Sequence, residues 1–347
     1  MALRIVPNKE ENAISDMVAR FFRDRSPLSA QLEASRTDVA LPRDLLTELA
    51  GLEIFHEALA DDAEPSGPAP LVCCLIAEAG GRELVPGPWV DQLIAVRVCG
   101  SDTELVAPLL AGEQIAAFAV APELSVESGT ISGVVRGLRF GDKVDRWILM
   151  TEHGAQVVDP GAPGVTEIHR ERTIDPLWQS VTAFLDGAPV VARIELTADE
   201  REAVLGYGRS LASAVSVGAG ARVLEDGIAY VNSREQFGRP LGSFQAIKHR
   251  ASNGFIALLH ARSMTRRSFV TGSPHDAHVA RVASDHTYRF VSEQVVQMYG
   301  GVGFTAAVPV HLFLKNAQQL RGWPTHVEDD LQDLRDHLAL DPEEAIA

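Results

Sequence analysis

The sequence is poor in cysteine. Three cysteines, Cys73, Cys74 and Cys99, occur among 347 residues. Three thiols cannot form a disulfide framework, and two adjacent cysteines lack the spacing of zinc ligands. Because Cys73 and Cys74 lie within the apolar run LVCCLIA, we expect them to be buried as small hydrophobic side chains, and we expect no metal site.

Basic residues are also scarce. The 31 Lys and Arg residues are outnumbered by 47 Asp and Glu residues, which gives a formal net charge of −16. This excess of negative charge argues against non-specific binding to nucleic acid or to an anionic membrane. It leaves open a small anionic ligand at a local basic site.

Long hydrophobic runs are missing as well. No apolar run reaches the roughly 20 residues that span a bilayer, and the N-terminal segment MALRIVPNKEEN has no apolar core of the kind found in signal peptides. We therefore expect a cytoplasmic protein without membrane contact. Hydrophobic residues make up 46% and charged residues 22% of the chain, as in folded proteins, and its length suffices for two or three domains.

Hydrophobic periodicity divides the chain into three parts. Residues 1–113 show the spacing of amphipathic and buried helices. Residues 114–190 contain short runs of β-branched and aromatic residues separated by Gly, Pro and Asp, which favours a small antiparallel β-domain. Helical periodicity returns over residues 191–347, after the capping-box sequence Thr197–Glu200. The predicted fold class is α+β, mainly α: an N-terminal helical domain, a small β-domain and a C-terminal helical bundle.

The most informative stretch is YVNSREQFGRPLGSFQ, from Tyr230 to Gln245. Gly238 and Pro240 interrupt a helical pattern, and Ser243 is placed to cap the next helix. Basic, amide and aromatic side chains lie at this corner: Arg234, Gln236, Phe237, Arg239, Phe244 and Gln245. Guanidinium groups bind phosphate and stack on aromatic rings, so the corner suits a ligand with a phosphate and a ring system. An ordinary helical hairpin with solvated arginines is the alternative.

Two motifs in the C-terminal part resemble those of one enzyme family. The sequence YVNSREQFGRPLGSFQAIKH is similar to the C-terminal-domain signature of acyl-CoA dehydrogenases, and VVQMYGGVGFTAAVPVHLFLKNA (Val295–Ala317) is similar to their second signature. The order of helical domain, β-domain and four-helix domain also resembles that family. The resemblance implies an FAD-dependent enzyme that oxidises an acyl-CoA to a 2-enoyl-CoA, with a glutamate as the base and electron-transfer flavoprotein as the acceptor.

The resemblance also implies roles for individual residues. Arg234, Gln236 and Phe237 match residues that reach the adenosine and pyrophosphate half of an FAD held mainly by the neighbouring subunit. Further matched positions lie close to the cofactor in the family: Phe244, Gln245, Gln297, Gly300 and Gly301. At the glycines, the resemblance implies a backbone so close to the cofactor that a Cβ would obstruct it. Arg209 matches an arginine near the substrate pocket.

The β-domain departs from the family pattern. Ala119–Pro122 runs directly into Glu123–Ser125, without the glycine-serine-aspartate continuation that follows in the family near the isoalloxazine ring. Trp147–Met150 stands where the family has a tryptophan–isoleucine–threonine stretch that covers the flavin, and the β-domain is shortened. We therefore predict that the chain has no flavin-ring site of its own.

No glutamate stands at either position that the family uses for its catalytic base. The two matching positions hold Gly208 and Pro324, so the catalytic base is unknown. Glu202 lies nearly two helical turns upstream of Gly208, which makes it a poor replacement. His326 and Glu328 are the other candidates, and each is more readily explained as a surface residue.

These losses, together with the retained cofactor motif, indicate one subunit of a heteromer. The family includes actinobacterial α2β2 heterotetramers of two short, unequal chains that act on steroid side-chain CoA thioesters, and the segment Glu78–Val90 resembles such chains. In these, one chain carries the glutamate and the other completes the flavin site. We expect this chain to be the flavin-completing subunit. A self-sufficient homomeric enzyme with an unusual base and a non-catalytic scaffold are the alternatives, and the acyl group, steroid or fatty, stays open.

Overall fold

Helices lie at both ends of the chain and strands in its middle. The computed structural model describes residues 4–59 and 69–338. The helices that precede the strands are α1 (Lys9–Arg25), α2 (Leu28–Ala34), α3 (Arg43–Gly51), α4 (Leu71–Arg82), α5 (Trp89–Cys99) and α6 (Thr103–Leu110). A 3₁₀ turn covers Ile54–Ala58. This order confirms the predicted α+β class.

Helices α4 and α5 form the buried layer of the N-terminal part. Every residue of α4 from Leu71 to Gly81 is buried, and so is every residue of α5. A helix that is apolar on most sides belongs in a core, and burial was predicted for the segment that forms α4, so that prediction is confirmed. The cysteines are buried and unpaired, as expected. The helical spacing of Met17, Val18 and Phe22 predicts an apolar stripe on α1; Val18 and Phe22 are buried, whereas Met17 is exposed, so this prediction is confirmed in part.

The central strands form one sheet whose pairing corrects the prediction of a wholly antiparallel β-domain. They are β1 (Ala116–Val120), β2 (Ser125–Glu127), β3 (Thr130–Arg139), β4 (Arg146–Thr151), β5 (Gly154–Val158), β6 (Val165–Arg170) and β7 (Ser180–Ile194). Their order is β1-β4-β5-β7-β3-β2, with β6 also paired to β7. β1 pairs with β4 in parallel. A parallel pair needs a long crossover, and β2 and β3 supply it between these two strands.

Strand β7 joins the two halves of the sheet. Its first part pairs with β3 and β6, and its last part pairs with β5. It ends at Ile194, past residue 190, and the next helix begins at Ala198. The division into domains at residues 113 and 190 stays a prediction.

The C-terminal part is a helical bundle. Its helices are α7 (Ala198–Ser233), α8 (Gln245–Thr271), α9 (Pro274–Tyr299), α10 (Val310–Leu320) and α11 (Val327–Leu338). With 36 residues, α7 is roughly 54 Å long and packs against both α8 and α9. Its predicted capping box is confirmed, because the Thr197 N–H donates to the Glu200 carboxylate at 2.8 Å and the Glu200 N–H donates to Thr197 Oγ1 at 3.3 Å. Within the described ranges, none of the helices is both long and apolar enough to cross a bilayer.

Small residues bring α4 and α7 into backbone contact. A Cβ on Gly218 would lie 1.9 Å from the Glu78 carbonyl oxygen, and one on Gly81 would lie 2.2 Å from the Val215 carbonyl oxygen. Real Cβ atoms do not approach so closely, so only glycine permits this packing. The small residues of α7 in this stretch therefore serve helix packing, and they fix α7 against the N-terminal core.

Candidate functional site

The two sequence motifs meet at one end of the bundle. Tyr230, near the end of α7, stacks on Tyr299, the last residue of α9, with ring centroids 4.0 Å apart and planes 11° apart. The Tyr299 hydroxyl also donates to the Asp226 carbonyl at 3.4 Å. A 3₁₀ turn over Gly300–Phe304 follows α9 directly. The stacked pair thus places Gln297, Gly300 and Gly301 at the same end of the bundle as Arg234.

The corner between α7 and α8 contains a miniature hairpin. Its strands are β8 (Glu235–Gln236) and β9 (Arg239–Pro240), joined by Phe237 and Gly238. Both linking residues have positive φ, +56° and +74°, as a two-residue hairpin turn of this hand requires. A phenylalanine is strained there, and its ring is 89% exposed. The hairpin therefore presents Phe237 outwards at a conformational cost.

Aromatic and basic groups cluster next to this hairpin. The Arg239 guanidinium carbon lies 4.0 Å from the centre of the Phe244 ring, and the Phe237 ring meets Phe244 edge-on with centroids 6.2 Å apart. Arg234 ends α7, is exposed, and has no ion pair within residues 4–59 and 69–338. The Gln236 side-chain amide donates to its neighbour's carbonyl. Exposed cationic and aromatic groups without an acidic partner among the described residues are what a phosphate-bearing ring ligand requires.

Ser243 does not cap α8, so that prediction is wrong. Leu241–Ser243 forms a 3₁₀ turn, and α8 begins only at Gln245, with Phe244 at its N-cap and no side chain bonded to its first N–H groups. The Ser243 hydroxyl is buried without a hydrogen-bond partner. The extra turn displaces Ser243 from the cap position. The positive end of α8 is consequently left without an internal acceptor at the corner.

The glycines after α9 are open rather than crowded. An added Cβ at Gly300 or Gly301 would meet nothing within 4 Å, whereas one at Gly303 would lie 2.8 Å from the Val296 carbonyl oxygen. Gly300 has φ +63°, which accounts for glycine there, but nothing inside the chain requires glycine at 301. The space outside Gly301 is free for an external group. Together with the exposed arginines and aromatic rings of the corner, this donor set fits the adenosine and pyrophosphate half of FAD.

A separate cleft lies near the other end of α7. It has a volume of about 530 Å³ and is lined by β1, by the loop that precedes α11 and by Trp178. Phe118, Ala119, Val120 and Pro122 contribute the β1 side, and Trp323, Pro324, Thr325 and His326 contribute the loop side. The structure therefore has a cleft beside the β1 residues for which the sequence predicts no flavin-ring site. The lack of a flavin-ring site in this chain stays a prediction.

Gly208 and Pro324, at which the sequence predicts that the catalytic base is missing, are neighbours in space. A Cβ on Gly208 would lie 2.9 Å from Pro324 Cγ and 3.3 Å from Ile94 Cδ1. The proline ring occupies the volume that a side chain at 208 would need. Pro324 lines the cleft, so neither position presents a carboxylate to it.

Next to the cleft, the interior is filled by a buried ion pair and two indole rings. Arg139 Nη1 donates to Asp91 Oδ2 at 3.0 Å, and the Arg139 guanidinium carbon lies 4.0 Å from the Trp178 ring centre and 5.2 Å from that of Trp323. Burial raises the pKa of Asp91 to about 6, although Arg139 opposes the shift. The adjoining cavity measures about 30 Å³, far too small for an acyl chain. The sequence offered one signal for this pair, a charged residue inside the apolar helix α5.

Arg209 belongs to a buried ionic network on α7, α9 and α11. Its Nε donates to Asp330 Oδ1 at 2.6 Å and its Nη1 donates to Glu202 Oε1 at 2.5 Å. His278 completes the network, with Nδ1 3.0 Å from Asp330 Oδ1 and Nε2 3.4 Å from Glu202 Oε1. Arg209 does not line the cleft, so its role beside a substrate stays a prediction. These contacts clamp α11 to the bundle.

The three candidate replacement bases differ in their surroundings. Glu202 is engaged by Arg209 and His278, and although burial opposes it, these bonds lower the pKa of its carboxyl. Glu328 is exposed and pairs with Arg321. His326 is exposed and lines the cleft. The cleft also contains Asp329, an exposed carboxylate that the sequence analysis did not single out because no motif contains it.

Comparison with known proteins agrees with these motifs. Residues 201–323 match the model of the acyl-CoA dehydrogenase C-terminal domain. Acyl-CoA dehydrogenase FadE34 of Mycobacterium tuberculosis is 28% identical over 294 residues, which cover 81% of this chain but 40% of FadE34. The chain thus spans well under half the length of that relative.

Two solved structures share the fold over nearly the whole chain. The ChsE4–ChsE5 complex from Mycobacterium tuberculosis contains a chain with a TM-score of 0.85 and 22% identity, covering 98% of this chain and 100% of that one. The Tcur3481–Tcur3483 steroid ACAD gives a TM-score of 0.83 and 21% identity, covering 98% and 99%. At these identities the likeness is one of fold.

Proposed function

We propose that this chain, whose residues 201–323 match the acyl-CoA dehydrogenase C-terminal domain, is the flavin-completing subunit of a heteromeric, FAD-dependent acyl-CoA dehydrogenase. The observation that carries the proposal is the distance between the two ends of α7. At about 1.5 Å per residue, the stretch from Gly208 to Ser233 is roughly 38 Å long. Gly208 packs against Pro324, which lines the cleft, and Arg234 stands at the corner, so the two features are farther apart than a flavin dinucleotide can reach.

The corner therefore serves a cofactor whose ring lies outside this chain. Arg234 and the open end of α8 would meet the pyrophosphate, since both offer positive charge and hydrogen-bond donors without an internal acceptor. Phe237 and Phe244 would flank the adenosine, with Gln236, Gln245 and Gln297 as amide partners. Gly300 and Gly301 leave the approach clear. In this proposal the residues of the corner bind and orient the cofactor of a partner.

The chain's own cleft supports the same conclusion. Gly208 and Pro324 supply no group that can remove a proton, and the Pro324 ring leaves no room for a longer side chain at 208. Arg139, Trp178 and Trp323 fill the space behind the cleft. A catalytic carboxylate and room for the acyl group are thus assigned to the partner, an acyl-CoA dehydrogenase-like chain in an α2β2 assembly.

The overall reaction follows from the family. When bound, FAD would supply the acceptor for a hydride from the β-carbon of the acyl-CoA, and a base would remove the α-proton, so that the product would be the 2-enoyl-CoA. This chain contributes cofactor binding and orientation at the corner. Electron-transfer flavoprotein is the proposed acceptor. The proposed substrate class is a steroid side-chain CoA thioester, as suggested by the steroid ACAD whose fold the chain shares.

Flavin absorbance tests this proposal. The chain is purified alone and after co-expression with the nearest-encoded acyl-CoA dehydrogenase-like chain, and FAD per protein is measured in each sample. We expect flavin only in the complex. Arg234→Ala should weaken FAD binding in the complex by about 1–3 kcal/mol, the range of a charge-assisted contact, whereas the exposed control Arg193→Ala should not. Stoichiometric FAD and turnover in the isolated chain would contradict the proposal.

A second candidate function is a self-sufficient enzyme with an unusual base. The observation in its favour is that His326 and Asp329 both line the cleft of about 530 Å³. If the chain alone turns over an acyl-CoA, single replacement of His326 by Gln or Asp329 by Asn should abolish that activity. A pure scaffold, the remaining alternative, would keep full flavin content in the complex after Arg234→Ala.

A further inference from the structure

The cleft of about 530 Å³ has three sides of different chemistry. The side formed by β1 is apolar and includes Phe118 and Pro122. Arg136 and Glu171 belong to the side formed by the rest of the sheet, and Asp329 belongs to the side formed by α11 and the loop before it. Small-molecule sites measure roughly 300–1,000 Å³ and combine apolar surface with a few polar groups. In size and lining, the cleft therefore suits a small organic ligand.

Two charged groups of the cleft have no oppositely charged partner among the residues that the structure describes. Arg136 is exposed on β3, and Asp329 is exposed in the first turn of α11. Neither side chain forms an ion pair within residues 4–59 and 69–338, whereas the neighbouring Glu328 pairs with Arg321. The cleft thus offers a ligand one guanidinium and one carboxylate, on different sides.

The other carboxylate of the cleft is already occupied. Glu171 accepts hydrogen bonds from Ser180 Oγ at 2.7 Å, from Thr182 Oγ1 at 2.6 Å and from the Gly137 N–H at 3.4 Å. These three donors hold the Glu171 carboxylate against the sheet, so it is a structural group rather than a ligand contact. His326 also lines the cleft and offers a ring nitrogen for hydrogen bonding.

One free cation and one free anion together select a ligand without net charge. Nucleotide-containing ligands carry several phosphate charges, which a single guanidinium beside an unpaired carboxylate matches poorly in a chain of net charge −16. A wholly apolar ligand would desolvate both charged groups without replacing their hydrogen bonds with water, which is costly. A ligand with one negative and one positive end satisfies both groups.

We propose that the cleft binds a zwitterion of the amino acid type, with its carboxylate at Arg136, its ammonium group at Asp329 and an apolar body against Phe118 and Pro122. The planar guanidinium fork of arginine matches the geometry of a carboxylate, and an ammonium group pairs with a carboxylate through charge-assisted hydrogen bonds. A free apolar amino acid and a short apolar peptide share this chemistry. The site is independent of the proposed function, because neither the corner nor a partner chain contributes to it.

Titration with two zwitterions tests the proposal. Free phenylalanine and the dipeptide leucyl-phenylalanine are added to the full chain, alone and in the complex. Binding is followed by calorimetry and by tryptophan fluorescence, since Trp178 and Trp323 line the cleft. We expect saturable binding of one ligand per chain, and the tighter of the two ligands identifies the source. The N-acetylated and the C-terminally amidated dipeptide each lack one charge and should each bind about tenfold more weakly or worse.

Two variants assign the charges to their partners. Arg136→Met should lose the preference for the dipeptide over its amide but keep the preference over the N-acetylated form, and Asp329→Asn should do the reverse. Arg193→Met and Asp336→Asn are the matched controls, because both residues are exposed but lie outside the cleft, and they should bind as the wild type does. Far-UV circular dichroism checks that the variants fold.

Three results would overturn this assignment of the cleft. They are no binding of either zwitterion, equal affinity of the wild type for the free and the capped dipeptides, and variants that keep both preferences. The capped dipeptides decide the question on the wild type even if a variant does not fold. Displacement of the dipeptide by FMN would identify a flavin site instead. The flavin content of the complex is measured separately, so a complex without FAD would contradict the proposed function and leave the zwitterion site intact.

Discussion

Pro324 lies so close to Gly208 that a Cβ at position 208 would be 2.9 Å from Pro324 Cγ. The two residues are far apart in sequence, and Gly208 packs behind Pro324, which lines the cleft. Glycine at one position and proline at the other are therefore coupled, since the proline ring fits only because residue 208 has no side chain. Restoring a glutamate at 208 without changing Pro324 would not restore a base.

Two glycines of α7 provide a matched test of this contact. Gly206→Ala should stabilise the protein by about 0.5–1 kcal/mol, because alanine favours helix and its Cβ would meet neighbours at an ordinary 3.6 Å. Gly208→Ala has the same propensity gain but must displace Pro324 and Ile94, which costs about 1–3 kcal/mol. Urea unfolding should show Gly206→Ala as the more stable variant. Equal stabilities would contradict the close approach of Pro324.

The buried pair of Arg209 and Asp330 should be important for stability. Arg209→Met leaves the Asp330 carboxylate buried with a poorer set of partners, which should cost about 3–5 kcal/mol. Arg267→Met, at the partly exposed pair with Asp276, should cost less than about 1 kcal/mol. Thermal unfolding of both variants measures the difference. Similar losses in the two variants would mean that the network does not clamp α11.

His278 should make stability fall with rising pH. Burial disfavours its protonated form, but hydrogen bonds to Asp330 and Glu202 outweigh burial and raise the pKa of His278 to about 9. Because this pKa lies above the ordinary value of 6.5, the contribution is complete below pH 6.5 and is lost as the pH rises through 9. Allowing for solvent screening, it is on the order of 2 kcal/mol.

The pH profile of a His278→Gln variant isolates this contribution. Asp330, Asp333, Glu202 and Arg209 face the imidazole from α7 and α11, and all of them are retained in the variant. The free energy of unfolding, measured from pH 6 to pH 10, should fall more steeply in the wild type than in the variant. Parallel profiles would rule out a protonated His278 in the folded protein.

Replacing Phe237 should change protein stability and cofactor binding in different ways. Its φ of +56° strains a phenylalanine, and its exposed ring contributes little to the core, so Phe237→Gly should leave stability unchanged or raise it by about 1 kcal/mol. The same change should lower FAD retention in the complex. Phe140→Gly is the contrast, because Phe140 has a similar φ but a fully buried ring whose loss should cost about 3–5 kcal/mol. Unaltered FAD retention in Phe237→Gly would remove Phe237 from the site.

Local patterns in the sequence predicted much of the fold. The capping box at Thr197 and the buried helix α4 depend on neighbouring residues, and both were predicted. The parallel pairing of β1 with β4 was not, since strand order depends on contacts between distant segments. The prediction that Ser243 caps α8 was wrong, because a 3₁₀ turn and a cap of the following helix have similar sequences.

The candidate site was predictable where motifs describe it. Residues of both signatures meet at the end of the bundle, and their short-range spacing made them recognisable. The Arg139–Asp91 pair, the Arg209–Asp330 pair and the contact of Gly208 with Pro324 join residues from separate helices and strands. No periodicity or spacing in the sequence relates such residues, so these contacts can be identified only in the folded structure.

The length of α7 has a genetic consequence. In a homomer, one gene encodes both ends of this helix, and a substitution that damages either end damages every subunit. Once two genes share an assembly, each copy is free to lose the feature that the other retains, because the stretch of α7 between the two features, from Gly208 to Ser233, is roughly 38 Å long. Each chain then depends on the other, and under the proposed function disruption of either gene would give the same metabolic defect.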